Sequence, residues 1–356
     1  MENSENFQWS KVCDAHNHVH VDRENLSKIG ELKTSRICLM GTRFEDWDIV
    51  SKVSIDFPDK VVPCFGYHPW FAHSVELLEE KNNSLNPRDH YLSILFEPNS
   101  TNKPTTTTNT IINQNNNSSS SNQGNENENE NENDLSTFIT FLSPPIPFNT
   151  WYSKLESLLK LHPQALIGEI GIDKISKLKH PKTKVMTKIQ TSMEHQMKLM
   201  ELQLDLAAKY NRAVSLHCVQ STGQIVQLLD RKVLNNYKNK NNQNFLPPRI
   251  CLHSFGGSVD TIKALTSNQP KKKKKLPTQI YFSFSIVINE RYNRLPELIK
   301  AVPEDRLLIE SDFHSPDGMD ELMERIIKLI SEIKNWSPTF TVEKTRENFL
   351  RFIDET

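Results

Sequence analysis

Residues 12–19 read Val-Cys-Asp-Ala-His-Asn-His-Val, a short apolar run that carries His16 and His18 two positions apart. On a β-strand, alternate residues point to one face, so both imidazoles aim the same way and Asp14 shares their parity. Two imidazoles converging from one strand suit a divalent cation. The same punctuation recurs: Glu169 follows the run 165–168, His217 follows 213–216, His253 follows 250–252, and Asp312 follows 307–311. Apolar strands that each end in a ligand-type residue point to a metal-dependent hydrolase on a barrel, where all strand ends meet on one face.

Strand-like runs near 12–19, 35–41, 61–66, 165–170, 213–218, 250–254, 279–285 and 307–311 alternate with helical stretches. The helices are expected over 43–55, 151–161, 189–210, 223–237, 259–267, 291–301 and 319–333. This alternation predicts an α/β fold, a (β/α)8 TIM barrel, rather than an antiparallel one. Within 189–210, Met193, Met197, Met200, Leu204 and Ala208 recur at helical spacing and mark a buried face. That methionine stripe reads as core packing, not as a cofactor box.

The 356 residues suffice for one large barrel, read here as a single domain over 1–356. A net charge of -1 gives no global basic field to attract nucleic acid, although a bound metal can supply positive charge locally. No run of ~18 uninterrupted apolar residues exists, so no membrane span or membrane partner is expected. The start, MENSENFQWSKV, lacks the pattern of a secretory signal. Five cysteines, Cys13, Cys38, Cys64, Cys218 and Cys251, all fall in predicted strands without a CxxC. They read as reduced, buried thiols of a cytoplasmic or nuclear protein. Cys218 adjoins His217 on the opposite strand face and is not a candidate ligand.

Residues 79–150 break the alternation. Within them, 99–134 is dominated by Asn, Thr, Ser and Glu, including NENENENEND, and cannot bury enough apolar surface to offset ordering entropy. It is expected to be a disordered insertion in the loop after the third strand. Lesser insertions, 235–244 and 269–277, each precede a strand and so fall at the face opposite the candidate ligands. The run Lys271–Lys275 is open to two readings, a localisation or nucleic-acid patch and a solvated loop.

A lone strand-end histidine is ordinarily a packed residue. Six candidates at equivalent strand ends, His16, His18, Glu169, His217, His253 and Asp312, are a different matter, and they exceed the needs of one tetrahedral ion. A bridging carboxylate would let them hold two ions about 3.5–4 Å apart, and Glu169, central in chain order, is the candidate bridge. One or two ions of Mg²⁺, Mn²⁺ or Zn²⁺ are therefore expected. Asp312 has three readings: ligand, general base for an attacking water, or helix N-cap.

The segments DAHNH, GYHPW, GEIGID, SLHC, LHSFGGS and ESD, with the closing TRENFLRFI, resemble the TatD-type metal-dependent deoxyribonucleases from about residue 12 to 352. The resemblance implies a metal-dependent-hydrolase barrel that cleaves DNA phosphodiester bonds, often from the 3′ end. It assigns the metal shell to His16, His18, Glu169, His217, His253 and Asp312. The chain departs from the family at Val219, where many members carry arginine, at Lys174, where an aromatic is usual, and in the sequence ESDFHSP. GEIGID, LHC followed by VQ, and YFSFS followed by Asn289 and Arg291 are most similar to a fungal branch whose members are named as interactors of a cell-cycle ubiquitin-ligase subunit.

Around that shell, His68, Arg291 and His314 are candidate phosphate contacts, an arginine suiting bidentate phosphate binding. Asp14 is expected to orient an imidazole from behind it. The leading expectation is a hydrolase acting on DNA or another phosphodiester with metal-activated water, with Asp312 and Glu169 catalytic. Rival readings are a small amide, ester or phosphoester hydrolase of the same superfamily, and a barrel that serves as a scaffold for a protein partner. Glu169 stands where the better-known amidases often carry a carboxylated lysine, which favours the nuclease-like group.

Overall fold

Each apolar run becomes a strand because its aliphatic residues fill both faces of a sheet that is covered on both sides. The computed structural model describes residues 8–77, 86–98, 135–239 (side chains to 236), 245–266 and 276–355. The strands are β1 (Cys13–Asn17), β2 (Arg36–Met40), β3 (Val61–Phe65), β4 (Leu166–Asp173), β5 (Val214–Val219), β6 (Arg249–Leu252), β7 (Gln279–Phe284) and β8 (Leu307–Ile309). They pair in chain order, every neighbour parallel. Just beyond β8 the chain turns back onto β1: Asp312 N–H donates to the His16 carbonyl at 2.9 Å, and His18 N–H to the Phe313 carbonyl at 2.7 Å. The eight strands thus form the expected (β/α)8 barrel.

The main helices are α1 (Trp47–Asp56), α2 (Phe148–Leu161), α3 (Met193–Lys209), α4 (Thr222–Asn239), α5 (Val259–Thr266), α6 (Leu295–Ala301), α7 (Met319–Lys334) and α8 (Pro338–Ile353). Outward strand residues such as Ile37, Leu39, Ile167, Ile172 and Leu216 join Trp47, Trp151, Leu204 and Ile326 in one core layer between sheet and helices. The expected stripe on α3 contributes to it, although Met193 and Met197 are only partly buried. Inside the barrel lie Cys13, Cys38, Met40, Val62, Cys64, Leu166, Cys251 and Leu308, closed off by Phe349 and Phe352 of α8. All five cysteines are unpaired.

Two strands carry one extra residue. Between Asp14 and Asn17, β1 advances three residues while β2 advances two. Between Ile167 and Ile170, β4 advances three while β5 advances two. Such bulges re-aim side chains. In β4, strict alternation from the inward Leu166 would send Glu169 outward, and the bulge turns it into the barrel mouth. In β1, the bulge separates Asp14 from His16, so the two do not share a face as their spacing suggested.

The remaining differences from expectation are local. Helix α1 starts at Trp47, not near 43, because the Asp46 carboxylate accepts from Thr42 N–H and hydroxyl at 3.2 and 2.6 Å and holds a turn there. Residues 235–239, read as insertion, continue α4. In the stretch that broke the alternation, helices Pro87–Ile94 and Leu135–Ile139 and the strand Leu95–Phe96, paired antiparallel with Gln190–Thr191, build a satellite core. Tyr91, Ile94, Phe138, Leu178 and Ile189 form it. The insertion 99–134 and the run Lys271–Lys275 lie outside the described residues. Among the described residues no helix is long and apolar enough to cross a membrane.

Candidate metal centre

Glu169 is buried at the carboxyl ends of the strands, 3% exposed, and each of its oxygens meets a different set of imidazoles. Oε2 lies 3.2 Å from His18 Nε2 and 3.5 Å from His16 Nε2. Oε1 lies 3.0 Å from His68 Nε2, 2.9 Å from His217 Nδ1 and 2.8 Å from His253 Nε2. Asp312 completes the first group, with Oδ1 3.8 Å from His16 Nε2 and 3.6 Å from His18 Nε2. Three sets have ligand atoms close enough to share a cation: His16, His18 and Glu169; His16, His253 and Asp312; and His68, Glu169 and His217.

Hydrogen bonds fix how each ring presents itself. His18 Nδ1 is 3.2 Å from the Met40 carbonyl, which only accepts, so Nδ1 carries a proton and Nε2 is the nitrogen turned to the carboxylate. Imidazole nitrogens and carboxylate oxygens gathered this closely are the donor set that a divalent cation takes, which is how these residues fit a metal. His68 is the opposite case: its Nδ1 accepts Trp70 N–H at 3.1 Å, leaving the proton on Nε2 to be donated to Glu169. His16 Nδ1 meets Ser215 Oγ at 2.8 Å, and its ring stacks on His253 with centroids 3.8 Å apart. Asp312 reaches the site from a left-handed backbone, φ 50°, with its Oδ2 3.3 Å from the Ser254 hydroxyl oxygen. Strained backbone of this kind gathers at functional sites.

The electrostatics are those of a tightly coupled cage. Burial pushes the Glu169 carboxyl up, but the His68, His253 and His16 imidazoles outweigh it and hold it well below the usual carboxylate range. Burial opposes the charged form of His253, yet Glu169 and Glu310 hold its imidazolium well above the ordinary value. Burial is also the chief cause for His68, held down to about 4 despite Glu169, so this ring stays neutral.

The structure brings His16, His18, Glu169, His217, His253 and Asp312 together, as their strand-end positions implied, and adds His68. It does not bring Arg291 or His314 into that cage. Both are exposed, Arg291 lying over the Tyr292 ring and His314 beside Phe313. Asp14 does not orient an imidazole: it accepts Ser311 N–H and hydroxyl at 3.0 and 2.6 Å and His16 backbone N–H at 3.0 Å. Its work is to tie the end of β1 to the residue after β8, on the far side of the bulge.

Three supports went unread in the sequence. Asp173 Oδ2 takes Trp70 Nε1–H at 2.8 Å and faces His217 Nε2 at 3.4 Å. Its backbone N–H is held by Gln196 of α3 at 2.9 Å. Beyond the bulge it shares parity with Glu169, a signal that alternation along GEIGID could have raised. Glu310, fully buried, accepts Ser254 N–H and hydroxyl at 2.7 and 2.6 Å and the Ser283 hydroxyl, 3.7 Å from His253 Nδ1. The third is Ser215. Two departures from the family pattern prove to be neighbours, since Lys174 N–H donates to the Val219 carbonyl at 3.2 Å.

With this geometry in place, comparison with known proteins is specific. The family model described as TatD related DNase matches residues 13–354. The Cut9-interacting protein scn1 of Schizosaccharomyces pombe is 31% identical, covering 97% of this chain and 99% of that protein. A Saccharomyces cerevisiae protein named as an uncharacterized deoxyribonuclease is 24% identical over 97% of this chain and 99% of its own. Among solved structures, the TatD homologue YjjV of Escherichia coli superposes with a TM-score of 0.57 at 15% identity, covering 97% of this chain and 98% of that one. A TatD family hydrolase of Entamoeba histolytica gives 0.55 at 13%, with the same coverage.

Proposed function

The chain belongs to the TatD-related DNase family, a family of metal-dependent hydrolases, and from that premise we propose that it cleaves phosphodiester bonds of DNA, releasing nucleotides from an end. The observation that carries this reading is the division of labour on Glu169, one oxygen toward His16 and His18 beside Asp312, the other toward His217 and His253. That arrangement supports a carboxylate shared by two divalent ions, with His16, His18 and Asp312 holding one and His217 and His253 the other. Mg²⁺, Mn²⁺ and Zn²⁺ all suit imidazole and carboxylate ligands. Bound there, the ions would lower the pKa of a water and stabilise the charge on phosphoryl oxygens.

The chain's own residues supply the rest. Asp312 is the most open of the clustered carboxylates, its side chain 12% exposed, and takes the proton of the attacking water. His68, neutral and donating through Nε2, fixes the Glu169 carboxylate, a different role from the phosphate contact its place after β3 suggested. Asp173 holds the His217 ring, and the Glu310 carboxylate faces His253 Nδ1 at 3.7 Å. The same proposal takes residues 1–356 as one barrel domain interrupted by 99–134. It also takes a cytoplasmic or nuclear setting, supported by five unpaired thiols, and a protein partner, supported by the name of the S. pombe relative.

The test is cleavage of single- and double-stranded DNA in Mg²⁺, Mn²⁺ and Zn²⁺ buffers by the wild type beside Glu169→Ala and Asp312→Ala. Wild-type cleavage lost in both variants is expected. A wild type inactive on every DNA in every metal sinks the reading.

A further inference from the structure

The charge of this chain is balanced overall but not along its length, and one basic stretch leaves the strand that carries Glu169. Between Asp173 and Glu194 there is no acidic residue, yet Lys174, Lys177, Lys179, Lys182, Lys184 and Lys188 fall there. All six are exposed, and among the described residues none forms an ion pair. This segment leaves the carboxyl end of β4, where Glu169 and Asp173 stand, and folds into a hairpin. Leu178 N–H donates to the Ile189 carbonyl at 2.9 Å, and His180 N–H to the Val185 carbonyl at 2.8 Å. Leu178 and Ile189 anchor it in the satellite core, so the lysines extend from a supported ribbon.

A second observation points the same way. Trp70 is 55% exposed, an unusual state for the largest apolar side chain, and yet it is fixed in place. Its Nε1–H is bound to Asp173 Oδ2, and its ring stands edge-on to His68, centroids 4.8 Å apart, and to His217, 6.2 Å apart. An anchored indole with open surface, one ring away from the Glu169 cage, is a stacking platform. Lysines track a phosphate backbone without regard to sequence, and aromatic faces take unpaired bases.

Resting on the reading of the site as a phosphodiesterase, we propose that Trp70 and the lysines of residues 174–188 form a track for single-stranded nucleic acid. The lysines hold the backbone, and the indole stacks the base next to the bond that is cut. Duplex ends would enter only where they fray, because a paired base cannot stack on Trp70.

Binding is read by fluorescence anisotropy with a labelled, phosphorothioate-linked oligothymidylate of about ten nucleotides, which resists turnover. Trp70→Ala is expected to weaken binding about 5- to 100-fold and Trp70→Phe to keep it within a few-fold. An oligomer lacking bases should show no such loss. The combined Lys177→Gln, Lys179→Gln, Lys182→Gln and Lys184→Gln variant, checked for an unchanged melting temperature, should flatten the plot of log K against log salt by about 0.7 per phosphate contact removed. An unchanged slope in that variant, an unchanged affinity in Trp70→Ala, or tighter binding of a blunt duplex overturns the track. Because binding is read without turnover, binding without cleavage refutes only the proposed reaction, and cleavage with unaltered slope and affinity refutes only the track.

Discussion

His68 and Glu169 stand 3.0 Å apart, Nε2 to Oε1, and the proton between them belongs to the histidine, because the backbone of Trp70 already donates to its other nitrogen. His68 therefore spends its one donor on the carboxylate and has no lone pair left to give a metal at that atom. Glu169 is the opposite, all acceptor. The two should separate in experiment. Glu169→Ala is expected to lose bound metal and the thermal stabilisation that metal addition gives the wild type. His68→Ala should retain metal while turnover falls about 10- to 100-fold, the scale for groups that orient a ligand. Metal content by mass spectrometry, beside melting curves with and without Mn²⁺, reads both. Equal metal loss in the two variants would contradict the tautomer argument.

Asp173 serves two masters through one oxygen, Trp70 and His217. Asp173→Ala is expected to lower activity or metal affinity about 10- to 100-fold and also to free the indole. Increased mobility of Trp70 in fluorescence anisotropy decay, compared in a background where Trp9 and Trp336 are replaced by Phe, checks the second effect. A variant with lower activity but an unmoved indole would mean that Trp70 is held by its neighbours and not by this bond.

Gly171 cannot be replaced. Its φ of 149° lies in a region side chains avoid, and an added Cβ would sit 2.0 Å from the His217 carbonyl oxygen. Gly171→Ala should cost more than about 4 kcal/mol, seen as insoluble or molten protein, since β4 and β5 would be forced apart beside the site. Gly223 in the first turn of α4 is the control: a Cβ there meets nothing within 4 Å. Gly223→Ala should be neutral or more stable by about 0.5–1 kcal/mol in urea unfolding.

Away from the cage, His195 is buried with Nε2 2.8 Å from the Ala72 carbonyl, and burial holds it down to about 3. Half-buried His73 is held down to about 4 for the same reason. Unfolded, each takes a proton near pH 6.5; folded, neither does until far lower pH. Stability is therefore fully present above about pH 6.5 and falls as pH drops, by about 1.4 kcal/mol per unit for His195 alone, until the folded form also protonates. Urea midpoints at pH 7, 6 and 5 in EDTA should show the decline, and His195→Gln should flatten it. A His195→Gln curve parallel to wild type would locate the acid sensitivity elsewhere.

Much of this was legible in the chain. Apolar runs of strand length ending in His16, His18, Glu169, His217, His253 and Asp312 are enough to assert a parallel barrel with one loaded face, because barrel geometry leaves strand ends nowhere else to go. The satellite core was not legible. Tyr91 and Phe138 come from two short helices and Ile189 from the residue before a two-residue strand, none with periodicity of its own, and only their meeting makes a core. His68 was noticed but its partner was not legible, since a tautomer depends on the hydrogen bond at the far nitrogen.

The sequence by itself determined which residues could bind metal and that they would converge, since residue type and strand-end position are local properties. Tertiary structure decided which way they face. One extra residue in β1 sends Asp14 away from His16, and one extra residue in β4 turns Glu169 into the mouth where alternation would have turned it out. A bulge is defined only by the register of a neighbouring strand, so no reading of one strand alone contains it.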